Sequence, residues 1–422
     1  MKQPASEIVS SARWWLHRMS KRIWVRASMF CLGGVAVALL AAIIGPHLPY
    51  DPKLTLASGS VGMILNILAT SMLAVTTFSL SIMVSAYSSA TSNVTPRSTN
   101  LLLSDSIAQN TLSTFIGTFL FSIVGIIGIA SGFYDGKGRI LLFFATIVVI
   151  VLVVATLLRW IEQLGRFGRV GDTIRRVEKA TAAALQAEAR HPRMGALDAV
   201  AIPKSAGPMP ATKVGHVQHI DVIALENLAM QHGVTIHLQV TAGSLVHPAR
   251  SLAWVDPAPD DILAKEIRAC FSIGVEREFD HDSRFGIVVL GEIASRALSP
   301  GINDPGTAIE VADSGLRLFM DYAAALDGAK SPSLKRVHAP GLDLDEMTFS
   351  FFNPISRDGA SIVEVQQRLL VVLAALADRH PKLFGKVARA QAAAITERAR
   401  GEMPLKSNYE MIEKSAAEKF GL

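Results

Sequence analysis

The strongest constraint on this chain is the absence of charge from four long stretches among its first 160 residues. Residues 27–45, 54–96, 106–134 and 140–158 contain no Asp, Glu, Lys, Arg or His. A helix needs roughly 20 apolar residues to cross a hydrocarbon core about 30 Å thick. A helix of a soluble core keeps charged or polar residues on its outer face, so it is seldom uncharged for this long. Each stretch therefore reads as a membrane-spanning helix, and nothing after Arg159 offers a further span. The uncharged interiors argue against a proton relay built from acidic or basic residues. The second stretch exceeds one crossing: Pro49, Pro52 and Gly59 set its start, and the helix is expected to run on toward Tyr87.

Orientation follows from the basic flanks. Arg13, Arg18, Lys21, Arg22 and Arg26 precede the first span, and Arg159, Arg166, Arg169, Arg175 and Arg176 follow the fourth. The loops at 46–60 and 135–139 hold only Lys53, Lys137 and Arg139. Both termini are expected in the cytoplasm of a bacterial inner membrane. A cleaved signal peptide competes for the first span, but no small-residue cleavage site follows it. Trp14, Trp15 and Trp24 among basic residues suggest an interfacial segment over 1–22, ahead of a four-helix membrane domain over 23–160.

Charged residues make up 18% of the chain, more than a protein made only of membrane helices carries, and mean hydropathy is +0.35. The average thus combines two unlike parts. The formal net charge of +5 is concentrated beside hydrophobic segments, which suits membrane topology rather than nucleic-acid binding. Two cysteines, Cys31 and Cys270, imply no disulfide framework.

The remainder reads as a connector helix and linker over 161–211, a cytoplasmic α+β domain over 212–330, and a mostly helical tail over 331–422. Residues 162–190 are helix-forming and are expected to continue the fourth span, while 192–210 hold the Pro, Gly and Ser of a linker. Residues 215–221 and 234–240 alternate as strands, with a helix over 222–231 between them. Residues 242–252 resemble in shape the turn of biotinyl- and lipoyl-type barrels, with no Met-Lys-Met turn and hence no swinging-arm cofactor. Asp260 is a plausible cap for a helix over 260–273. In the tail, 347–352 reads as a short strand, and 362–379, 381–400 and 407–419 as helices.

The richest run is Ser299-Pro-Gly-Ile-Asn-Asp-Pro-Gly-Thr-Ala308. Pro300 ends one helix, Gly301 permits positive φ, and Asp304 before Pro305 starts the next. Together with Glu276-Arg277, Asp282-Ser-Arg-Phe-Gly286 and Thr95-Pro-Arg97, this run resembles the bacterial predicted membrane protein family catalogued as domain of unknown function 2254. The resemblance extends from the first span to about residue 400. It implies an inner-membrane protein and no established activity.

Two sets of residues carry the functional reading. Arg277, Asp282, Arg296, Asn303 and Asp304 are expected to lie close together as a ligand site or a structural signature. Thr77, Ser81 and Ser85 share one face of the second span and are candidates to line a pore. The competing reading is that these hydroxyls bond their own backbone and let helices pack closely. Gly128 with Gly132, and Gly34 with Ala38 and Ala42, have the spacing of close helix contacts, within one chain or between chains. The acidic run Glu276, Glu278, Asp280, His281 and Asp282 reads as a charged loop rather than a metal site. His216 and His219, three apart on a strand, point to opposite faces. No catalytic set, metal site or cofactor motif emerges. The leading expectation is an oligomeric channel or transport-related protein gated by its cytoplasmic domain, in contact with the lipid bilayer and with copies of itself, its ligand open. A membrane-anchored enzyme or signalling protein with a site around 276–304 is the rival, and a structural envelope protein the third reading; the residues favour a non-enzymatic role.

Overall fold

The computed structural model describes residues 23–44, 58–103, 105–165 and 168–421. The interfacial segment expected over 1–22 lies outside them; Trp24, just after it, is exposed. The described chain divides into two compact units. The first comprises residues up to 92 and 99–172; the second comprises 93–98 and everything from 173 on.

The first unit is built from α1 (Ile23–Ile44), α2 (Ser58–Asn93), a short α3 (Thr99–Leu103), α4 (Ser106–Ala130) and α5 (Gly136–Leu164). The four long helices are each long and apolar enough to cross a membrane. They coincide with the four uncharged stretches. Asp105 and Asp135 start α4 and α5, each accepting a backbone N–H three residues on. Helices α1 and α4 meet almost backbone to backbone: a Cβ on Gly34 would stand 2.7 Å from the Gly117 carbonyl oxygen. Ala38, Ala41 and Ala42 are buried beside it, and the Tyr134 hydroxyl donates to the Ala38 carbonyl at 2.9 Å. The small residues of α1 therefore serve contact within one chain. The Gly128–Gly132 pair does not form such a contact. Gly128 packs against the Tyr134 ring, and Gly132 has φ +69 in the turn that ends α4.

A continuous connector from the fourth span does not form. Helix α5 stops at Leu164, and α6 (Val170–Arg190) starts after a turn in which Gly168 takes φ +80. That turn lies against α2, since a Cβ on Gly168 would be 3.0 Å from Ala86 Cβ. The helical propensity of 162–190 is real on both sides; the glycines at 165 and 168 divide it.

The second unit contains two sheets and a helical layer. After α6 come a short 3-10 turn (Pro192–Gly195), β1 (Leu197–Asp198), β2 (Gly207–Pro210), β3 (Gly215–Ile220), α7 (Val222–His232), β4 (Thr235–Leu238), β5 (Leu245–Val246), β6 (Ser251–Asp256), α8 (Asp261–Ala269) and β7 (Phe271–Gly274). Then follow α9 (Phe285–Ala297), α10 (Pro305–Leu326), β8 (Val337–Ala339), α11 (Leu344–Asp358), α12 (Val363–Arg379), α13 (Pro381–Glu402) and α14 (Lys406–Phe420). One sheet has the order β1-β8-β4-β6-β2, with β8 parallel to β1 and β4 and the other pairs antiparallel. The other has the order β5-β3-β7 and is antiparallel.

The stretch read as a linker thus contributes two strands, because Met209 enters the core and β2 pairs with β6. The strands on either side of 242–252, β4 and β6, pair antiparallel in one sheet, while β5 inside the segment pairs with β3 in the other, so the segment bridges two sheets rather than closing a barrel turn. The helix expected over 260–273 ends at Ala269, and its last residues become β7. The strand expected at 347–352 is helical. Met347, Phe351 and Ile355 are buried at helical spacing, and Asp343 caps the start by accepting the Glu346 N–H. A register shift between Val217 and His219 breaks the alternation of β3, and the His219 ring lies 4.8 Å from that of His281.

Candidate functional site

Helix α9 organises the residues singled out by sequence, and it separates them into two groups. Arg277 and Asp282 stand before its first residue. Arg296 lies in its last turn, with Asn303 and Asp304 just beyond. A 13-residue helix is about 18 Å long between its end residues at 1.5 Å per residue. The expected single cluster is therefore two clusters.

At the N-terminal end, Asp282 is buried and fully engaged. One carboxylate oxygen accepts Arg277 Nε at 2.7 Å, and the other accepts the N–H groups of Arg284 and Phe285 at 3.2 and 3.1 Å. It thus caps α9 and neutralises Arg277 at once. The Arg277 guanidinium also lies over the Phe285 ring, 4.9 Å from its centroid. Among the described residues, no group of three or more His, Cys, Asp or Glu side chains is arranged to hold a metal ion.

At the C-terminal end the Ser-Pro-Gly-Ile-Asn-Asp run folds back on the helix. The N–H groups of Ile302 and Asn303 donate to the Ser299 carbonyl, and that of Asp304 to Ala297 at 2.8 Å. The left-handed residue of the turn is Asn303, with φ +50, and not Gly301; Asn tolerates that region better than most side chains. Asp304 accepts the Thr307 N–H at 3.1 Å and its hydroxyl at 2.6 Å, with Pro305 in the first helical position. These hydrogen bonds hold its carboxyl below the usual value, the Thr307 hydroxyl most strongly. Asp304→Ala is expected to cost about 1 kcal/mol, the worth of a helix cap. A depressed folded pKa gives stability that is present above the unfolded value near 3.9 and is lost as pH falls through the folded one. Melting of parent and variant should therefore converge in acid. Equal melting at neutral pH would remove the capping role.

An open cleft of about 830 Å³ adjoins this turn. Arg97, Glu292, Arg296, Asn303 and Asp358 are among its lining residues. Arg97 Nη1 pairs with Glu292 Oε1 at 2.7 Å, and the buried Thr95 hydroxyl donates to the other oxygen at 3.3 Å. One turn further along α9, Ser295 donates to Asp358, which also accepts Arg357 Nε at 2.6 Å. Burial pushes the Asp358 carboxyl up, but bonds from Arg357 and Ser295 outweigh it and hold the group low. Both carboxylates are thus paired with an arginine. Sequence reading marked Thr95-Pro-Arg97 as characteristic but did not connect it to Glu292, 195 residues away.

Thr77, Ser81 and Ser85 do share a face of α2, and all three are exposed. The opposite face buries Val61, Leu65, Leu68, Met72 and Met83 inside the first unit. The Thr77 hydroxyl donates to the carbonyls of Leu73 and Ala74, and Thr70 likewise bonds its preceding turn.

Comparison with known proteins gives the family but no activity. Uncharacterized proteins of Mycobacterium tuberculosis and Mycobacterium bovis are each 35% identical to this chain over 115 residues. The match covers 26% of this chain and 22% of each relative. No solved structure matches. A family model described as predicted membrane protein, domain of unknown function 2254, matches residues 20–375, and the chain belongs to that family.

Proposed function

We propose that this membrane protein is an oligomeric channel or transport-related protein of the bacterial inner membrane, gated by its C-terminal unit. In this reading the exposed hydroxyl face of α2, repeated in several copies, lines the path. One observation carries it. The 36-residue helix that bears Thr77, Ser81 and Ser85 leads directly into Thr95 and Arg97, which are bonded to Glu292 on α9. A shift of α9 thereby acts on the end of the helix that would line the path.

The same ion pair supports a cytoplasmic placement of the C-terminal unit. In a four-span topology the segment after span two and the segment after span four emerge on one side, and Arg97 adds to the positive charge there. An ion pair this exposed is worth no more than about 1 kcal/mol. It suits a reversible clasp better than a rigid joint.

Arg97→Glu is expected to change ion flux from reconstituted vesicles by about fivefold or more, since about 1 kcal/mol shifts a two-state balance by that factor. The exchange Arg97→Glu with Glu292→Arg should restore the parent value. Equal flux in the parent, single and exchanged proteins would remove the clasp from gating. A membrane-anchored signalling protein or enzyme is the alternative, favoured by the polar cleft at the C-terminal end of α9. A structural envelope protein is the third reading; in it this cleft would bind no ligand.

A further inference from the structure

A second cavity, of about 580 Å³, lies at the other end of α9 and has no part in the gating reading. Four arginines line it from four separate places. Arg193 belongs to the 3-10 turn after α6, Arg250 precedes β6, Arg277 follows β7, and Arg284 occupies the cap position of α9. Each side chain is anchored to the protein. Arg193 pairs with Asp198 and Arg284 with Glu346; Arg277 Nε pairs with Asp282 at 2.7 Å, and Arg250 Nη1 donates to the Leu245 carbonyl at 2.8 Å. A guanidinium has five N–H donors in a fixed fork. Each arginine is thus positioned by the protein while keeping donors for a ligand.

The wall carrying Arg193 is strained. Arg193 and Met194 both adopt left-handed backbone, at φ 57 and 58. Non-glycine residues held there cost of order 1 kcal/mol or more each, and such strain gathers at ligand sites. The conformation is secured by Glu188, which accepts the Arg193 N–H at 3.1 Å. The acidic groups of the cavity are largely engaged. Glu346 pairs with Arg284, Asp343 caps α11, and burial pushes the Glu188 carboxyl up toward its neutral form, opposed by Arg193. What remains is a polar wall of arginine donors beside the apolar side chains of Met194, Val288 and Leu342.

We propose that this cavity binds a small, soluble phosphate-bearing organic molecule, its phosphate held by Arg193, Arg250, Arg277 and Arg284. A lone carboxylate is satisfied by one planar fork, whereas a phosphate offers acceptor oxygens in several directions and suits forks arriving from several walls. The cavity volume falls within the roughly 300–1,000 Å³ of small-molecule sites, and the apolar side chains would cover the organic part.

The test is calorimetric titration of the full-length protein in detergent at low salt, with AMP and with inorganic pyrophosphate as probes. Arg250→Met and Arg284→Met are each expected to weaken binding by about 10- to 100-fold, the loss of one charge-assisted contact. A second measurement uses the parent protein alone: phenylglyoxal labelling of arginines, read by peptide mass spectrometry with and without pyrophosphate. Protection is expected at these four arginines and not at Arg97. Unchanged labelling at the four arginines, binding unaffected in both folded variants, or absence of binding to either probe would each overturn the proposal. None of these readouts depends on ion flux.

Discussion

Phe319→Ala is expected to destabilise the C-terminal unit by about 3–5 kcal/mol, the range for deleting a large buried ring. Phe319 is fully buried on α10. Its ring meets Phe351 edge-on at 5.7 Å, Phe352 in a stack at 5.9 Å, and Phe384 edge-on at 5.8 Å. These rings come from α11 and α13, so one side chain joins three helices. Removing it leaves a cavity that the neighbours can fill only by moving together, and it deletes several aromatic contacts at once. Hydrogen exchange of the full-length protein is the suitable measurement, because it reads residues 305–402 separately from the membrane helices. Protection in α10, α11 and α13 should fall together. A loss below about 1 kcal/mol would mean that the cluster is not the centre of this layer.

How much of this was legible in the sequence depended on whether the signal was local. The four long helices were, because a water-facing helix rarely runs about 20 residues without a charge, whereas a bilayer-crossing one requires it. The starts of α8 and α10 were legible through the aspartates at 260 and 304, each of which accepts a backbone N–H in the following turn; the same role of Asp221 at the start of α7 was not, because it was read as the end of a strand. The misses lay where distant contacts decide. The aromatic run at 348–352 has strand propensity, but burial of Met347, Phe351 and Ile355 at helical spacing overrides it. Residues 207–210 look like a proline-rich linker until β6 pairs with them. The candidate site followed the same rule. Capping by Asp304 was legible, whereas the partition of the signature by the length of α9, the Arg97–Glu292 pair and the arginine-lined cavity required the fold.

The hydroxyl face of α2 carries the largest expected functional effect. Thr77, Ser81 and Ser85 sit four residues apart, so they present one line of hydroxyls on the exposed side of the helix. The neighbours Leu73, Phe78 and Val84 are exposed and apolar, as a lipid- or partner-facing surface would be. If copies of α2 enclose a path, the hydroxyls face water and replace part of an ion's hydration, with modest selectivity by charge. Ser81→Leu should then bring flux close to background without preventing assembly. If the hydroxyls only bond their own helix, as that of Thr77 does, the same substitution leaves any flux unchanged.

The most direct measurement is thiol accessibility along this face in reconstituted vesicles. Cys31 and Cys270 are first replaced, and cysteines are then placed singly at Thr77, Ser81, Ser85, Leu80 and Ile82. A path along α2 predicts rapid reaction of the first three with a small water-soluble thiol reagent, protection of Leu80 and Ile82, and measurable flux from the parent. Equal protection at all five positions, with no flux from the parent, would contradict it.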